Sequence, residues 1–260
     1  MNCSLIISVY NDAVALNAVL NSVVNQTWKE FDVIISQDGD SNCFDEILNK
    51  YSLQLNLRHM QQADEGFLKN KMLNKVIRSI SSEKLVFIDG DCILHPHFME
   101  QYNLNIQEGR ICMGRRIDLD PVTTELIKSG KKKYPRFVDM LKNKTTRIEE
   151  ALYMPWLPQL FHSKPKLLGC NMGWFKTDLI RLNGFDETYI NPGYGEDSDI
   201  EFRAKKAGME VFSVRYKAIQ FHLDHSRPDR ENAVSKSQVL FEERKKREDF
   251  RCQQGLEKID

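Results

Sequence analysis

No stretch of the 260-residue sequence approaches the roughly 20 consecutive apolar residues that a membrane-spanning helix needs. Nor is there an excess of either charge: Lys and Arg number 37, Asp and Glu also 37, which removes any global electrostatic argument for a nucleic-acid partner. The six cysteines, Cys3, Cys43, Cys92, Cys112, Cys170 and Cys252, form no CxxC pair and follow no regular spacing. That pattern argues against a disulfide framework or a zinc site and for reduced thiols in a cytosolic compartment. The first apolar run is too short for a signal peptide and has no basic leader. The expectation is a cytoplasmic protein, with peripheral contact at the inner face of a membrane left open. GxGxxG, P-loop, GxSxG and HExxH motifs are all missing, so dinucleotide-binding, kinase-like, serine-hydrolase and zincin chemistries lack support.

What is present is enough apolar residue, 41%, for an ordinary core. Residues 5–10 are a nearly unbroken apolar run with β-branched members, the mark of a strand buried on both faces. Asn11 and Asp12 are suited to cap the helix that follows, in which Leu16, Val19, Leu20, Val23 and Val24 recur at helical spacing. Strands are expected at 31–36, near 53–58 and at 84–88, with helices at 44–51 and 67–80. This alternation predicts βαβ units and an α/β fold with a Rossmann-like, mostly parallel central sheet flanked by helices. Such sheets bind ligands beyond the carboxyl ends of their strands. Beyond residue 117 the rhythm changes. Residues 128–147 are rich in Lys and Arg, a helix is expected at 199–207, strands at 211–214 and 218–221, and a charged helical tail from 229. The organisation expected is a first half at 1–117 that binds a nucleotide, a second half of the same domain at 118–228, and the tail at 229–260.

Four segments carry candidate chemistry. Asp89-Gly90-Asp91 follows the strand Val86-Phe87-Ile88. Its paired carboxylates suit Mg²⁺ or Mn²⁺, and Gly90 allows a tight turn and close approach of a ligand. The competing reading is an ordinary turn. Glycines at Gly193 and Gly195 bracket Tyr194 and lead into Glu196-Asp197-Ser198-Asp199. Glu196 or Asp197, at the loop–helix junction, is a candidate base, while Ser198 and Asp199 read as capping residues. His222 and His225 lie just past a strand and offer imidazole to a metal, with His222 the nearer. In Gly169-Cys170-Asn171-Met172-Gly173-Trp174, small residues would let a sugar ring approach the backbone, with Asn171 on the donor side and Trp174 on the acceptor side; a bulged strand is the alternative. Trp156, Phe161 and Tyr194 are either sugar-stacking rings or core. The 128–147 run is either a solvated face or a contact for an anionic acceptor or lipid.

Together these residues resemble family 2 glycosyltransferases of the GT-A fold over residues 3–225. Ile7-Ser8-Val9-Tyr10-Asn11 is similar to the family's first strand and nucleotide loop, and Phe87-Ile88-Asp89-Gly90-Asp91-Cys92-Ile93 with His95-Pro96 to its DXD region. Asn183-Gly184-Phe185-Asp186-Glu187 and Gly195-Glu196-Asp197-Ser198-Asp199 resemble a segment shared with galactosyltransferase C-terminal regions. The resemblance implies an inverting transfer from a nucleotide diphosphate sugar, UDP-linked by expectation, to a glycan or lipid-linked glycan. It implies donor contacts from Tyr10, Asp38, Asp89, Gly90 and either Lys71 or Asn74. Asp91 and His222 would bind Mn²⁺ or Mg²⁺, with Asp89 and His225 as further ligand candidates. Asp197 would be the base, with Glu196 and Tyr194 at the acceptor. The sequence departs from the family pattern at Gln37, where an acid is usual, and at Leu73, where arginine is common. A catalytically silent glycan-binding or scaffold protein and a sugar nucleotidyltransferase are the rival readings, the latter opposed by the absence of a glycine-rich basic loop after the first strand.

Overall fold

The computed structural model describes residues 2–143, 145–158, 166–193, 195–226 and 231–259, without the side chains of residues 196 and 231–233. The first half is built of β1 (Cys3–Val9), α1 (Ala13–Val24), β2 (Asp32–Asp38), α2 (Asp45–Ser52), β3 (Leu57–Gln62), α3 (Lys69–Ser79) and β4 (Lys84–Asp89). After it come β5 (Cys92–Leu94), α4 (Phe98–Asn105), β6 (Arg110–Met113), β7 (Ile117–Asp118), α5 (Pro121–Lys128) and α6 (Phe137–Lys142). The chain continues through β8 (Asn171–Phe175), α7 (Lys176–Arg181), α8 (Glu196–Lys206), β9 (Glu210–Ser213), β10 (Gln220–His222) and α9 (Glu231–Lys245).

Alternation along the first strands builds both layers of the core. Leu5, Ile7 and Val9 of β1, Val33 and Ile35 of β2, and Val86 and Ile88 of β4 face one cluster that includes Leu16, Val19 and Leu20 of α1. Ile6, Ile34, Leu85 and Phe87 face the other, packed on Met72, Leu73, Val76 and Ile77 of α3. Side chains that alternate between two apolar layers require helices on both sides, which is why these strands read as continuous apolar runs. Asp12 caps α1 by accepting from the Ala15 amide at 2.8 Å.

The main sheet has seven strands in the order β3-β2-β1-β4-β8-β6-β9. β8 runs antiparallel to β4 and β6; the other pairings are parallel. The α/β, mostly parallel architecture is thus as the sequence implies. The chain leaves β1 toward β2 and β3 on one side and returns to β4 on the other. The gap between the carboxyl ends of β1 and β4 is therefore the topological switch point, where α/β sheets open a ligand crevice. A second sheet, β5-β10-β7, stands next to it, with β10 antiparallel to β5 and parallel to β7. Since β6, β8 and β9 complete the sheet begun by β1–β4, the segments before and after residue 117 share one sheet.

One sequence expectation changes here. Within the small-residue segment at 169–174 the regular strand β8 begins at Asn171, and the space above Gly173 is filled by protein rather than left for a sugar. A Cβ at Gly173 would meet the Tyr102 ring at 2.5 Å and Ile106 at 2.9 Å. Overpacking of this kind costs about 1–3 kcal/mol. Gly173→Ala is expected to lower the urea midpoint by that equivalent while leaving the site's residues in place. A wild-type midpoint would show that Tyr102 moves aside freely.

The charged tail contains α9, which packs on the body: Phe241 of α9 lies edge-on against Phe202, and Arg244 reaches the buried Asp199. Beyond α9, Cys252 is buried, and Arg78 donates to the carbonyls of Gly255 and Leu256. Charge density concealed the apolar anchors Phe241, Phe250 and Leu256.

Candidate active site

The end of β4 turns sharply because the Gly90 amide donates to the Ser8 carbonyl at 2.8 Å. A Cβ at Gly90 would sit 2.6 Å from Val9 Cγ1, so β1 and the turn after β4 can be this close only with glycine. The turn separates the two carboxylates. Asp89 accepts from Lys69 Nζ at 2.8 Å. Asp91 faces the second sheet, where the Leu223 amide donates to its carbonyl and His222 sits opposite Cys92 in the β5–β10 register.

That register brings Asp91, His222 and His225 together. His222 Nε2 lies 3.4 Å and His225 Nε2 3.2 Å from Asp91 Oδ2. One ligand atom from each residue lies within 4.8 Å of the others. The opposite ring nitrogens also face acceptors: His225 Nδ1 is 2.9 Å from the Ser226 carbonyl and His222 Nδ1 is 3.6 Å from Asp118 Oδ1. A proton on each Nδ1 leaves both Nε2 lone pairs directed at a carboxylate. In that tautomer three acceptors converge, a set that could hold a cation between oriented imidazoles. With the protons on Nε2 instead, burial opposes the charge on Asp91, but hydrogen bonds from His222 and then His225 outweigh it and hold its carboxyl well below the usual carboxylate range. Asp118 is itself held by Arg116 at 3.0 Å and Arg147 at 3.7 Å.

Asp197 reaches the crevice from the opposite side. Gly195, the residue before α8, has φ of 102°, and a Cβ there would lie 2.4 Å from the Tyr189 ring. In the first turn of α8, Asp197 accepts from the Ser198 amide at 2.7 Å and the Gly169 amide at 3.3 Å. A Cβ at Gly169 would be 3.8 Å from Asp197 Cβ and 4.0 Å from Lys69 Nζ. Gly169 therefore leaves open the space that Asp197 and the Lys69–Asp89 pair both face. At the mouth, the half-exposed Tyr10 donates to Asp64 at 2.9 Å. Its ring lies over Gly39, next to Asp38. Asp38 is buried and accepts from the Leu68 amide and Gln62 Nε2, so it organises the loop into α3.

Several expected contacts lie elsewhere. Trp174 is fully buried in the core and offers no surface to an acceptor. Asn171 is also fully buried: it accepts from Tyr102 Oη and donates to the Arg115 and Ala218 carbonyls. Asn74 is consumed by the Phe185 backbone and Glu187, joining α3 to the segment that follows α7. Lys71 is exposed and 3.6 Å from Glu65, away from Asp89. The cation that meets Asp89 is Lys69, which sequence reasoning passed over. Residues two apart on a helix point to different faces, so Lys69 and Lys71 cannot share the role. The sequence carried no signal to separate them, since both lie in the first turn of α3. Tyr194, Phe161 and the Glu196 side chain lie outside the described residues. Trp156 is exposed.

A family description, Glycosyl transferase family 2, matches residues 4–155. The chain belongs to this family. A second description, N-terminal domain of galactosyltransferase, matches residues 159–226, the segment that supplies Asp197 and both histidines. This family 2 chain is 24% identical to a chondroitin synthase of Escherichia coli over 90% of its length, but spans 36% of that protein. It is 23% identical to a validoxylamine A glucosyltransferase of Streptomyces hygroscopicus, covering 89% of this chain and 58% of the relative. Among solved structures, S. aureus TarS superposes with a TM-score of 0.62 at 16% identity, covering 94% of this chain and 43% of TarS. A mannosyltransferase of Pyrobaculum calidifontis, solved with GDP-Man and Mn²⁺, superposes with a TM-score of 0.59 at 14% identity, covering 87% and 58%. At these identities the likeness is one of fold, the GT-A arrangement.

Proposed function

We propose that this family 2 chain carries an inverting glycosyltransferase activity. It moves a hexose or N-acetylhexosamine from a UDP-linked donor to a hydroxyl of a glycan or lipid-linked glycan, in the synthesis of a surface polysaccharide. What supports the proposal is that the two acids of the turn after β4 each meet a second group: Asp91 lies with His222 and His225, and Asp89 pairs with Lys69, which lies close to Gly169 as Asp197 does. Support for the donor class comes from the family and from TarS, solved with UDP-GlcNAc at a TM-score of 0.58 and 16% identity, over 88% of this chain and 60% of that one. Support for the product class comes from the E. coli chondroitin synthase.

In this reading Asp91, His222 and His225 would hold a divalent ion, whose charge would stabilise the departing nucleoside diphosphate. Two imidazoles beside one carboxylate favour Mn²⁺ over Mg²⁺, since Mg²⁺ prefers an all-oxygen shell. Lys69 adds a positive charge on the diphosphate side. Tyr10, next to Gly39, lines the nucleoside side of the crevice. Asp197 takes the proton from the acceptor hydroxyl as that oxygen attacks the anomeric carbon, opposite the leaving group. Its two backbone amide donors aim the carboxylate. The transition state has the oxocarbenium character of glycosyl transfer in general.

Donor binding tests this directly, because a ligand at 100 times its Kd stabilises the native state by about 2.7 kcal/mol. For a chain of this size that is a rise in Tm of about 5 °C or more. UDP-GlcNAc, UDP-glucose, UDP-glucuronate and GDP-mannose are compared with Mn²⁺, with Mg²⁺ and with chelator. The expected result is stabilisation by a UDP-sugar that requires metal, is larger with Mn²⁺ and disappears in Asp91→Ala. Equal stabilisation with and without metal would remove the ion from the proposal. No response to any nucleotide would leave a glycan-binding module as the better reading.

A further inference from the structure

The α5–α6 region carries a surface that sugar transfer does not use. Helix α6 lies on the body through Met140, which is buried, while Phe137, Val138 and Leu141 are 46%, 58% and 58% exposed. Leu141 is four residues on from Phe137 and three on from Val138, and such positions are neighbours on a helix surface, so the three form a single exposed apolar ridge. The end of α6 is tied to the start of α5 by Asn143 Nδ2, 3.2 Å from Thr123 Oγ1, and the neighbouring Val122 is 59% exposed. Exposed basic residues flank the ridge along the chain: Lys131, Lys133, Arg136 and Lys142. The one acid between residues 129 and 142 is Asp139, already paired with Lys132.

An apolar ridge flanked by one charge sign is poorly matched to water and well matched to a surface that is negative outside and hydrocarbon beneath. We infer that this face is a docking surface for a bilayer containing anionic phospholipid. Phe137, Val138 and Leu141 enter the interface, while Lys131, Lys133, Arg136 and Lys142 meet the headgroups. The same segment borders the candidate site. The Thr146 amide donates to the Asp118 carbonyl, Arg147 approaches the Asp118 carboxylate that faces His222, and the Asp224 amide donates to Thr124 Oγ1. Docking here would bring the mouth of the site to the membrane plane, where a lipid-linked acceptor would be presented. That use rests on the proposed transferase; the docking itself does not.

The test is co-sedimentation of the full chain with phosphatidylcholine vesicles, with and without phosphatidylglycerol. The expected result is at least about tenfold stronger partitioning onto the anionic vesicles, weakened by high salt. Phe137→Ser/Leu141→Ser and Lys131→Glu/Lys133→Glu/Arg136→Glu should each abolish it. Both sets lie on the surface, and an unchanged Tm will show that the fold survives. The proposal is overturned if wild-type chain ignores anionic vesicles at low salt, or if the Ser variant binds like wild type. It is equally overturned if heparin binds wild type and Ser variant alike while vesicles do not bind, because the basic residues would then be a site for a soluble polyanion. Donor-induced stabilisation measured on the same samples separates failure here from failure of the transferase reading.

Discussion

Asp197→Asn is expected to lower the rate of nucleoside diphosphate release with acceptor by about 10²–10⁴-fold, the contribution typical of a positioned general base. The substitution keeps the volume and one acceptor atom, so the hydrogen bond from the Ser198 amide survives. What it removes is the ability to take a proton. Donor binding should persist, because the Asp91–His222–His225 cluster and Lys69 are untouched. The measurement is a paired one: turnover of the UDP-sugar that binds best, with a panel of oligosaccharide acceptors, and the donor's effect on Tm. Lost turnover with retained binding supports the base. Wild-type turnover would mean that another group takes the proton, and that Asp197 only orders the start of α8.

Two residues further on, a carboxylate of the same helix is expected to behave in the opposite way. Asp199 is fully buried and pairs with the fully buried Arg203 at 2.7 Å, one helical turn on. Arg203 also donates to the carbonyls of Leu182 and Gly184, and Arg244 of α9 approaches Asp199 at 3.7 Å. The pair thus clamps α8 to the segment after α7 and to α9. Removing one partner of such a pair strands the other charge without water and costs about 3–5 kcal/mol. Asp199→Ala is expected to lose that much in urea unfolding, a large part of the 5–15 kcal/mol typical of a domain. Turnover should fall only as far as folded protein is lost. A loss below about 1 kcal/mol would mean that water reaches Arg203 once the carboxylate is gone.

The contrast between Asp197 and Asp199 shows how far sequence reading reaches. Both are acids at the start of one helix, and both suit its N-terminus on dipole grounds. Asp199 read as a capping residue, yet it makes a buried ion pair, because the reading did not follow the i,i+4 spacing to Arg203 into the core. Lys69 rather than Lys71 meets Asp89 for a related reason: the helix is legible in the sequence, but not which of its faces looks at β4. Trp174, Asn171 and Asn74 lie at the right distance along the chain from the site and on the wrong side of the packing.

The parallel half of the sheet was legible from sequence by itself. A strand buried on both faces must be apolar throughout, and its helices must show a 3.6-residue stripe; Leu5, Ile6 and Ile7 with Leu16, Val19 and Leu20 meet both demands. Asp89-Gly90-Asp91 at a strand end was legible too, since two acids around a glycine after a buried strand are local information. The second sheet was decided only in three dimensions. β5 and β7 are three and two residues long, too short for periodicity to mark, and the strand expected at 218–221 overlaps β10 without showing its partners. Pairing β10 with β5 joins residues about 130 positions apart, and the sequence carries no record of that register. It is this pairing that sets His222 beside Cys92 and turns one acid of a motif and two distant histidines into a single cluster.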